Sequence, residues 1–298
     1  MDVADGPGKA ESVEVKKRRL RVALRLARQK AELTQQAAAD QLVWSTSKIV
    51  RIEQGTVPVT PTDVRAMLHL YGVSDEARIA ELVDLAKDAR EDKGWGTFND
   101  VLSQTGIELF GYESSAKVIY KYEPSVIPGL FQTQDYARAL LKALGNSEQQ
   151  VERRLEARAQ RQRLLDQPDR PDLNFILGEA AISRPVGGEE VMREQITLVL
   201  ELAKADGISV QLLPFSAGAH RGMGSAFTVL QFDDPFLADL LFLENAERES
   251  VNRDETGEIK RYLDLFVELQ AMAAKSGSLE DHVKRILRDQ YGEADPAA

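Results

Sequence analysis

Between positions 16 and 90 apolar residues recur every three or four positions, the spacing that turns one stripe of a helix inward. Leu20, Leu24 and Ala27 form such a stripe among Lys and Arg residues that face outward. Thr34 suits the N-cap of a short helix over 35–42, and Ser45 that of a third helix reaching Gln54. Ile49 and Ile52 supply the buried stripe of this third helix, and Gly55 stops it. Thr60-Pro61-Thr62-Asp63 sets a cap, a first-turn proline and an acid at the start of a fourth helix. Its apolar face is Val64, Met67, Leu68 and Tyr71, and Gly72 ends it. Ser74 is expected to cap a fifth helix running to about Arg90.

The texture changes after Asp92, where Lys93-Gly94-Trp95-Gly96 is a breaker cluster and marks a domain junction. Beyond it the pattern predicts helices near 99–109, 132–144, 147–165, 189–204 and 256–274, and strands over 116–122, 173–177, 209–213, 226–232 and 239–243. Ser147 and Gln150 have the spacing of a capping box. A last amphipathic helix, 279–291, carries Leu279, Val283, Ile286 and Leu287 on one face. Strands and helices mixed in this way predict an α+β domain rather than a strict βαβ winding. The expected division is a disordered tail over 1–14, an all-α five-helix domain over 15–92, a junction over 93–105, a larger α+β domain over 106–275, and a C-terminal amphipathic helix and tail over 276–298. A chain of 298 residues accommodates such a multidomain plan.

Charge changes this picture. The chain is -10 overall, yet residues 16–51 hold ten basic side chains against the two acids Glu32 and Asp40. That stretch is therefore +8 and the remainder -18. A basic block on an acidic chain is the footprint of a phosphate-binding end, although a solvated helix face gives the same signal. The absence of cysteine excludes disulfides, thiol catalysis and Cys-ligated zinc, and fits a cytoplasmic protein. No apolar run is long enough to cross a membrane, and the N-terminus lacks the apolar middle of a secretory signal.

The run Leu33-Thr34-Gln35 through Trp44-Ser45-Thr46-Ser47-Lys48-Ile49-Val50-Arg51-Ile52-Glu53-Gln54-Gly55 resembles the XRE family of repressor-like helix-turn-helix domains over about sixty residues. With Ile49 and Ile52 inward, Thr46, Ser47, Val50 and Arg51 remain on the outward face of the third helix as base-reading candidates. A helix fits the major groove, and a guanidinium there suits a bidentate contact to guanine. The resemblance implies phosphate contacts at Thr34, Gln35 and Lys48, and a bracing pair between Arg28 and Glu53. Where the family often has glycine between helices two and three, this chain has Val43, followed by Trp44. A β-branched residue at positive φ is an outlier, so another turn shape is expected there. Trp44 reads as a core plug rather than a base-stacking residue.

A second resemblance covers roughly Gly106 to Ala273. The run from Tyr122-Glu123-Pro124 to Asp135-Tyr136-Ala137-Arg138, Glu179 to Gly188, and Leu213 to His220 look like blocks of an actinobacterial domain of unknown function. That domain accompanies an XRE module in WhiJ-like developmental regulators of Streptomyces and relatives, typically with a small acidic partner in an antitoxin-like arrangement. A tryptophan pair common in the family is replaced here by Gly94-Trp95-Gly96. Ile127, Leu130, Phe131, Pro214 and Phe215 are candidates to line a pocket or partner groove, or else close the core. His69, His220 and His282 are far apart, and Glu179 and Glu244 are the nearest thing to paired acids. No nucleotide, hydrolase or metalloprotease motif occurs, so neither catalysis nor a cofactor nor a metal is expected.

The function these readings predict is sequence-specific transcriptional regulation through operator DNA, without membrane association. Control by the second domain would come from a small partner protein or a small-molecule effector. A homodimer is expected, with the helices 147–165 and 279–291 as interface candidates, because one module offers limited contact area. The alternative is an antitoxin-like protein that mainly sequesters a small acidic partner and autoregulates its operon.

Overall fold

The computed structural model describes residues 12–91, 94–234, 237–244, 249–252, 256–274 and 279–291. The chain divides into two compact units mainly between Thr97 and Phe98, with Asp234 and Leu237 counted to the first. Most of the expected N-terminal tail, and the C-terminal tail beyond Tyr291, lie outside the described residues.

The first unit consists of five helices, each begun by a residue that accepts from its own first turn. They are α1 (Val13–Lys30), α2 (Gln35–Leu42), α3 (Thr46–Gln54), α4 (Pro61–Leu70) and α5 (Glu76–Glu91). Ser12, Thr34, Ser45 and Thr60 cap the first four with their hydroxyls. Helix α1 thus takes in the last two positions of the expected tail, Val13 and Glu14. For α5 the acceptor is Asp75 and not Ser74: its Oδ1 takes the N–H groups of Ala77 and Arg78 at 3.0 and 3.3 Å. A carboxylate at this position also meets the positive end of the helix dipole. The helices enclose one core in which Leu24, Ile49, Met67 and Leu68 are fully buried. Burial of each such side chain contributes roughly 1.5–3 kcal/mol.

The second unit is built on a six-stranded mixed sheet, β1 (Val118–Glu123), β2 (Asp172–Gly178), β3 (Ile208–Leu213), β4 (Ala226–Gln231), β5 (Leu240–Glu244) and β6 (Glu249–Asn252). The strand order is β3-β2-β1-β4-β5-β6. Strands β1, β2 and β3 are parallel and joined by helical crossovers, while β4, β5 and β6 run antiparallel. Half of the sheet is therefore a βαβ winding, and β6 occupies a stretch where the sequence pattern signals no strand. The helices are α6 (Gln104–Glu113), α7 (Gln134–Ala143), α8 (Glu148–Gln162), the short α9 (Glu179–Ser183), α10 (Glu189–Leu202), α11 (Thr256–Met272) and α12 (Leu279–Tyr291). Helix α6 lies several residues later than its expected span, because Ser103 provides the cap. The capping box of α8 forms: Ser147 Oγ accepts from the Gln150 N–H, and Gln150 Oε1 accepts from the Ser147 N–H.

Alternation along the strands separates the sheet faces. Tyr122, Ile176, Leu213, Phe227, Val229 and Leu241 meet Ile259, Phe266 and Leu269 of α11. Leu279, Val283, Ile286 and Leu287 of α12 are buried, and the helix packs on α9, α10 and β3. Val151 and Leu155 of α8 are likewise buried, with Ala137 and Leu141 of α7. The apolar stripes of both helices expected to form a dimer interface are thus occupied within their own unit.

Candidate functional site

Helix α3 owes its register to two side chains and its exposure to the others. Ile49 and Ile52 are buried in the five-helix core, which leaves Ser47 and Arg51 exposed and Thr46 and Val50 half-buried. The Arg51 side chain donates Nε to the Ser47 carbonyl at 3.2 Å, an i−4 contact along its own helix. Neither of its terminal nitrogens has a partner among the described residues, so the fork needed for a bidentate contact is available. Thr46 Oγ1 donates to Gln36 Oε1 at 2.6 Å, and Gln36 Nε2 donates to Asp40 Oδ1 at 2.7 Å. Gln36, which the sequence reading passed over, therefore joins the exposed edge of α2 to the start of α3. Its signal in the sequence is an amide one turn from Asp40 on the polar side of α2.

Beneath this surface Arg28 and Glu53 form a two-point ion pair, Nε to Oε1 at 2.6 Å and Nη2 to Oε2 at 2.8 Å. Both side chains are buried, with 10% and 3% of their surface exposed. Arg28 also donates to the Leu33 carbonyl at 2.7 Å, and Gln35 Nε2 donates to Glu53 Oε2 at 2.9 Å. One carboxylate thereby ties α1, α2 and α3 together. The Glu53 bond and charge raise the pKa of Arg28 against the opposing effect of burial. Tyr71, buried nearby, is pushed up to about 12 by desolvation first and by Glu53 second.

The candidate phosphate contacts fare unevenly. Thr34 is exposed, but its hydroxyl accepts the Ala37 N–H at 3.0 Å. The Gln35 side chain is committed to Glu53. Lys48 Nζ binds Asp63 Oδ1 at 2.9 Å and lies 3.5 Å from the centroid of the Trp44 ring. Its charge is thus balanced inside the domain rather than held out in solvent, a departure from the expectation for this residue. Trp44 is partly buried against the core and lends Lys48 its face.

The turn between α2 and α3 corrects the expectation of another shape. Val43 adopts the left-handed conformation at φ 56° and ψ 41°. Its N–H donates to the Asp40 carbonyl at 3.2 Å, and the Trp44 N–H donates to Ala39 at 2.9 Å. This is the hydrogen-bond pattern with which a glycine closes a helix, carried out here by valine.

In the second unit the five pocket candidates do not converge. Leu130 and Phe131 are buried in the core, Phe131 stacking near Phe175 at 4.7 Å. Phe215 is largely exposed after β3, and Pro214 adjoins it. Ile127 alone among the five lines a cavity of about 380 Å³. Glu179 and Glu244 are not paired acids, since β1 and β4 separate their strands. Glu179 accepts the Phe215 N–H at 2.7 Å, whereas Glu244 accepts from Lys121 at 3.2 Å.

The cavity lies between the sheet face that carries Lys121, Glu123, Phe242 and Glu244 and the helices α6, α7 and α8. One wall is the loop from Pro124 to Gln132, whose backbone groups have no strand to pair with. Side-chain amides satisfy them instead. Gln132 Nε2 donates to Ile127 O at 2.6 Å, Gln162 Nε2 to Gln132 O at 2.7 Å, and Gln195 Nε2 to Phe131 O at 2.6 Å. Tyr136 Oη accepts the Ile127 N–H at 3.1 Å. Gly178 closes the arrangement, since a Cβ there would stand 2.5 Å from the Pro124 carbonyl oxygen.

Charges inside the cavity are partly balanced. Burial lowers the pKa of the Lys121 ammonium, but Glu244 and Glu123 outweigh it and the net direction is upward. The neighbouring Lys121 in turn holds the Glu244 carboxyl below its ordinary value. Glu123 moves up, chiefly through desolvation. Arg161 binds both oxygens of Glu113 at 2.6 and 2.7 Å and lies over the Phe110 ring. No group of three metal-ligating side chains occurs among the described residues.

Residues 19–95 match the family model of a helix-turn-helix domain, and residues 107–281 that of a domain of unknown function, DUF5753. No curated protein and no solved structure matches the chain. No helix among the described residues is long and apolar enough to cross a membrane. The second match spans more than half of the sequence, so the chain belongs to the DUF5753 family and joins that domain to an N-terminal helix-turn-helix domain.

Proposed function

We propose that this protein is a sequence-specific transcriptional regulator of the XRE type, with α3 as its recognition helix and the DUF5753 domain as its control element. The observation that carries the reading is the exposed, unpartnered guanidinium fork of Arg51 on a helix fixed from behind by the Arg28–Glu53 pair. Thr46, Ser47, Val50 and Arg51 read base edges, and Thr34, Gln35 and Lys48 lie near the phosphates, with Lys48 exchanging Asp63 for phosphate on binding. The protein acts as a homodimer on two half-sites, and it is not an enzyme. Its second domain answers to a small partner or ligand, as in the WhiJ-like regulators it resembles.

The test is binding of the full chain to DNA from its own promoter region, across a panel of single-base variants. Arg51→Ala is expected to relax preference at one base position, with a loss of about 1–3 kcal/mol on the best sequence. Equal affinities for wild type and variant across the panel would remove α3 from the interface.

A further inference from the structure

Two of the four basic residues lining the cavity of the second unit have no partner. Lys121 and Arg161 are matched by Glu244 and Glu113. Arg154 and Arg158, four residues apart on α8 and so on one face of it, donate no hydrogen bond to any described residue. Arg154 Nε and Arg158 Nη1 are nevertheless shut off from solvent. The Arg158 guanidinium also lies close to that of Arg161. A Cβ placed on Gly129 would lie 3.0 Å from Arg161 Nη1, 3.8 Å from Arg158 Cζ and 3.9 Å from Arg158 Nη1.

Packing like charges together out of water is costly unless an opposite charge joins them. The cost is visible at Arg158, which is pushed down to about 10 by desolvation and then by Arg161 and Arg154. Even so it remains a cation at neutral pH. A second unmatched group faces the same space: Gln132 is buried, its Nε2 is taken by the Ile127 carbonyl, and its Oε1 accepts nothing. The remaining wall carries the apolar Leu102, Leu109, Ile127, Leu140 and Leu144 together with Ser103, Thr105 and, beside Lys121, Glu123 and Glu244. The volume suits one small organic molecule. Its place also fits, because β1 is where the parallel half of the sheet meets the antiparallel half, and Lys121 and Glu123 stand at the carboxyl end of that strand.

From this arrangement we infer that the cavity binds a small organic oxyanion. A carboxylate or phosphate head would lie between Arg154 and Arg158, a hydroxyl or N–H would donate to Gln132 Oε1, and an apolar body would run along the leucines. This deepens the reading of the second domain as a control element by giving its effector a chemical class. It stands apart from the DNA reading, because the measurement below contains no DNA.

The full chain is dialysed into buffer free of phosphate and carboxylates, and its thermal unfolding and heats of binding are followed with three probes. These are inorganic phosphate, octanoate and 2-hydroxyoctanoate. At tenfold saturation the wild type is expected to gain about 3 °C with at least one probe. A response to phosphate alone identifies a phosphate head. A response to the two acids, stronger for the hydroxylated one, identifies a carboxylate with a donor for Gln132. Arg158→Gln is expected to melt no lower than wild type without probe and to lose at least tenfold in probe affinity. Gly129→Ala, which sets a methyl group against the guanidiniums, should weaken the probe without unfolding the chain. The inference is overturned if no probe shifts the wild type, if Arg158→Gln responds as strongly as wild type, or if Arg158→Gln melts several degrees lower without probe.

Discussion

Val43 holds a left-handed conformation with a β-branched side chain that is 90% exposed. The side chain packs against little, so nothing local repays a backbone cost of roughly 1–2 kcal/mol. Val43→Gly should therefore raise stability by about 1 kcal/mol, after allowing for the extra entropy glycine loses on folding, and chemical denaturation would read it. A fall in stability would mean that the valine packs on something. Glu123 offers a prediction with a pH sign. Burial raises its folded pKa above the ordinary 4.5, so folding disfavours the charged carboxylate. Stability from this group is full below the ordinary value and is lost as pH rises through the raised one. Glu123→Gln removes that loss: the variant should match wild type near pH 4 and exceed it increasingly toward pH 7. A difference that shrinks with rising pH would reverse the assignment.

At the scale of elements, the buried pair Arg28–Glu53 decides how α1, α2 and α3 are held together. Removing one partner leaves a charge without its mate. Arg28→Met should cost about 3–5 kcal/mol, and Glu53→Met a similar amount, whereas the double variant should cost clearly less than their sum. Additive losses in urea unfolding would show that the two residues act separately. The helix caps lie at the same scale, and they were the most legible feature of the sequence. Ser45, Thr60 and Ser147 each precede a helix because a hydroxyl and its first-turn N–H are neighbours in the chain. Ser74 misled because Asp75, one residue later, is the better acceptor at the start of α5. Strand β6 was illegible for the converse reason. Its four residues include Glu249, Ser250 and Asn252, and they become a strand only because β5 offers them an edge.

Across the whole molecule, a +8 segment acts within a chain of net charge -10. Above about 0.1 M salt the Debye length is near 10 Å, and only charges close to the phosphates count. There, log K should fall linearly with log salt, as release of counterions requires. Near 0.01 M the screening length grows to about 30 Å, the acidic remainder repels the DNA, and the slope should flatten. Titrations at four salt concentrations suffice, and a slope that steepens toward low salt would count against the basic segment as the sole attractive surface.

What the sequence by itself determined is whatever depends on neighbours along the chain. The helical periods, the caps, the Gly55 stop, the strands with continuous apolar runs and the outward face of α3 all follow from spacings of a few residues. Tertiary structure decided what depends on residues distant in sequence. It set Lys48 against Asp63 and kept Leu130, Phe131, Pro214 and Phe215 away from the cavity. It also brought Arg154 and Arg158 to one cavity with Gln132, where an arginine that a helical pattern places in solvent becomes half-buried and unmatched. A charge pattern in one dimension records how many cations a helix carries. Only the folded chain determines which of them are left without an anion.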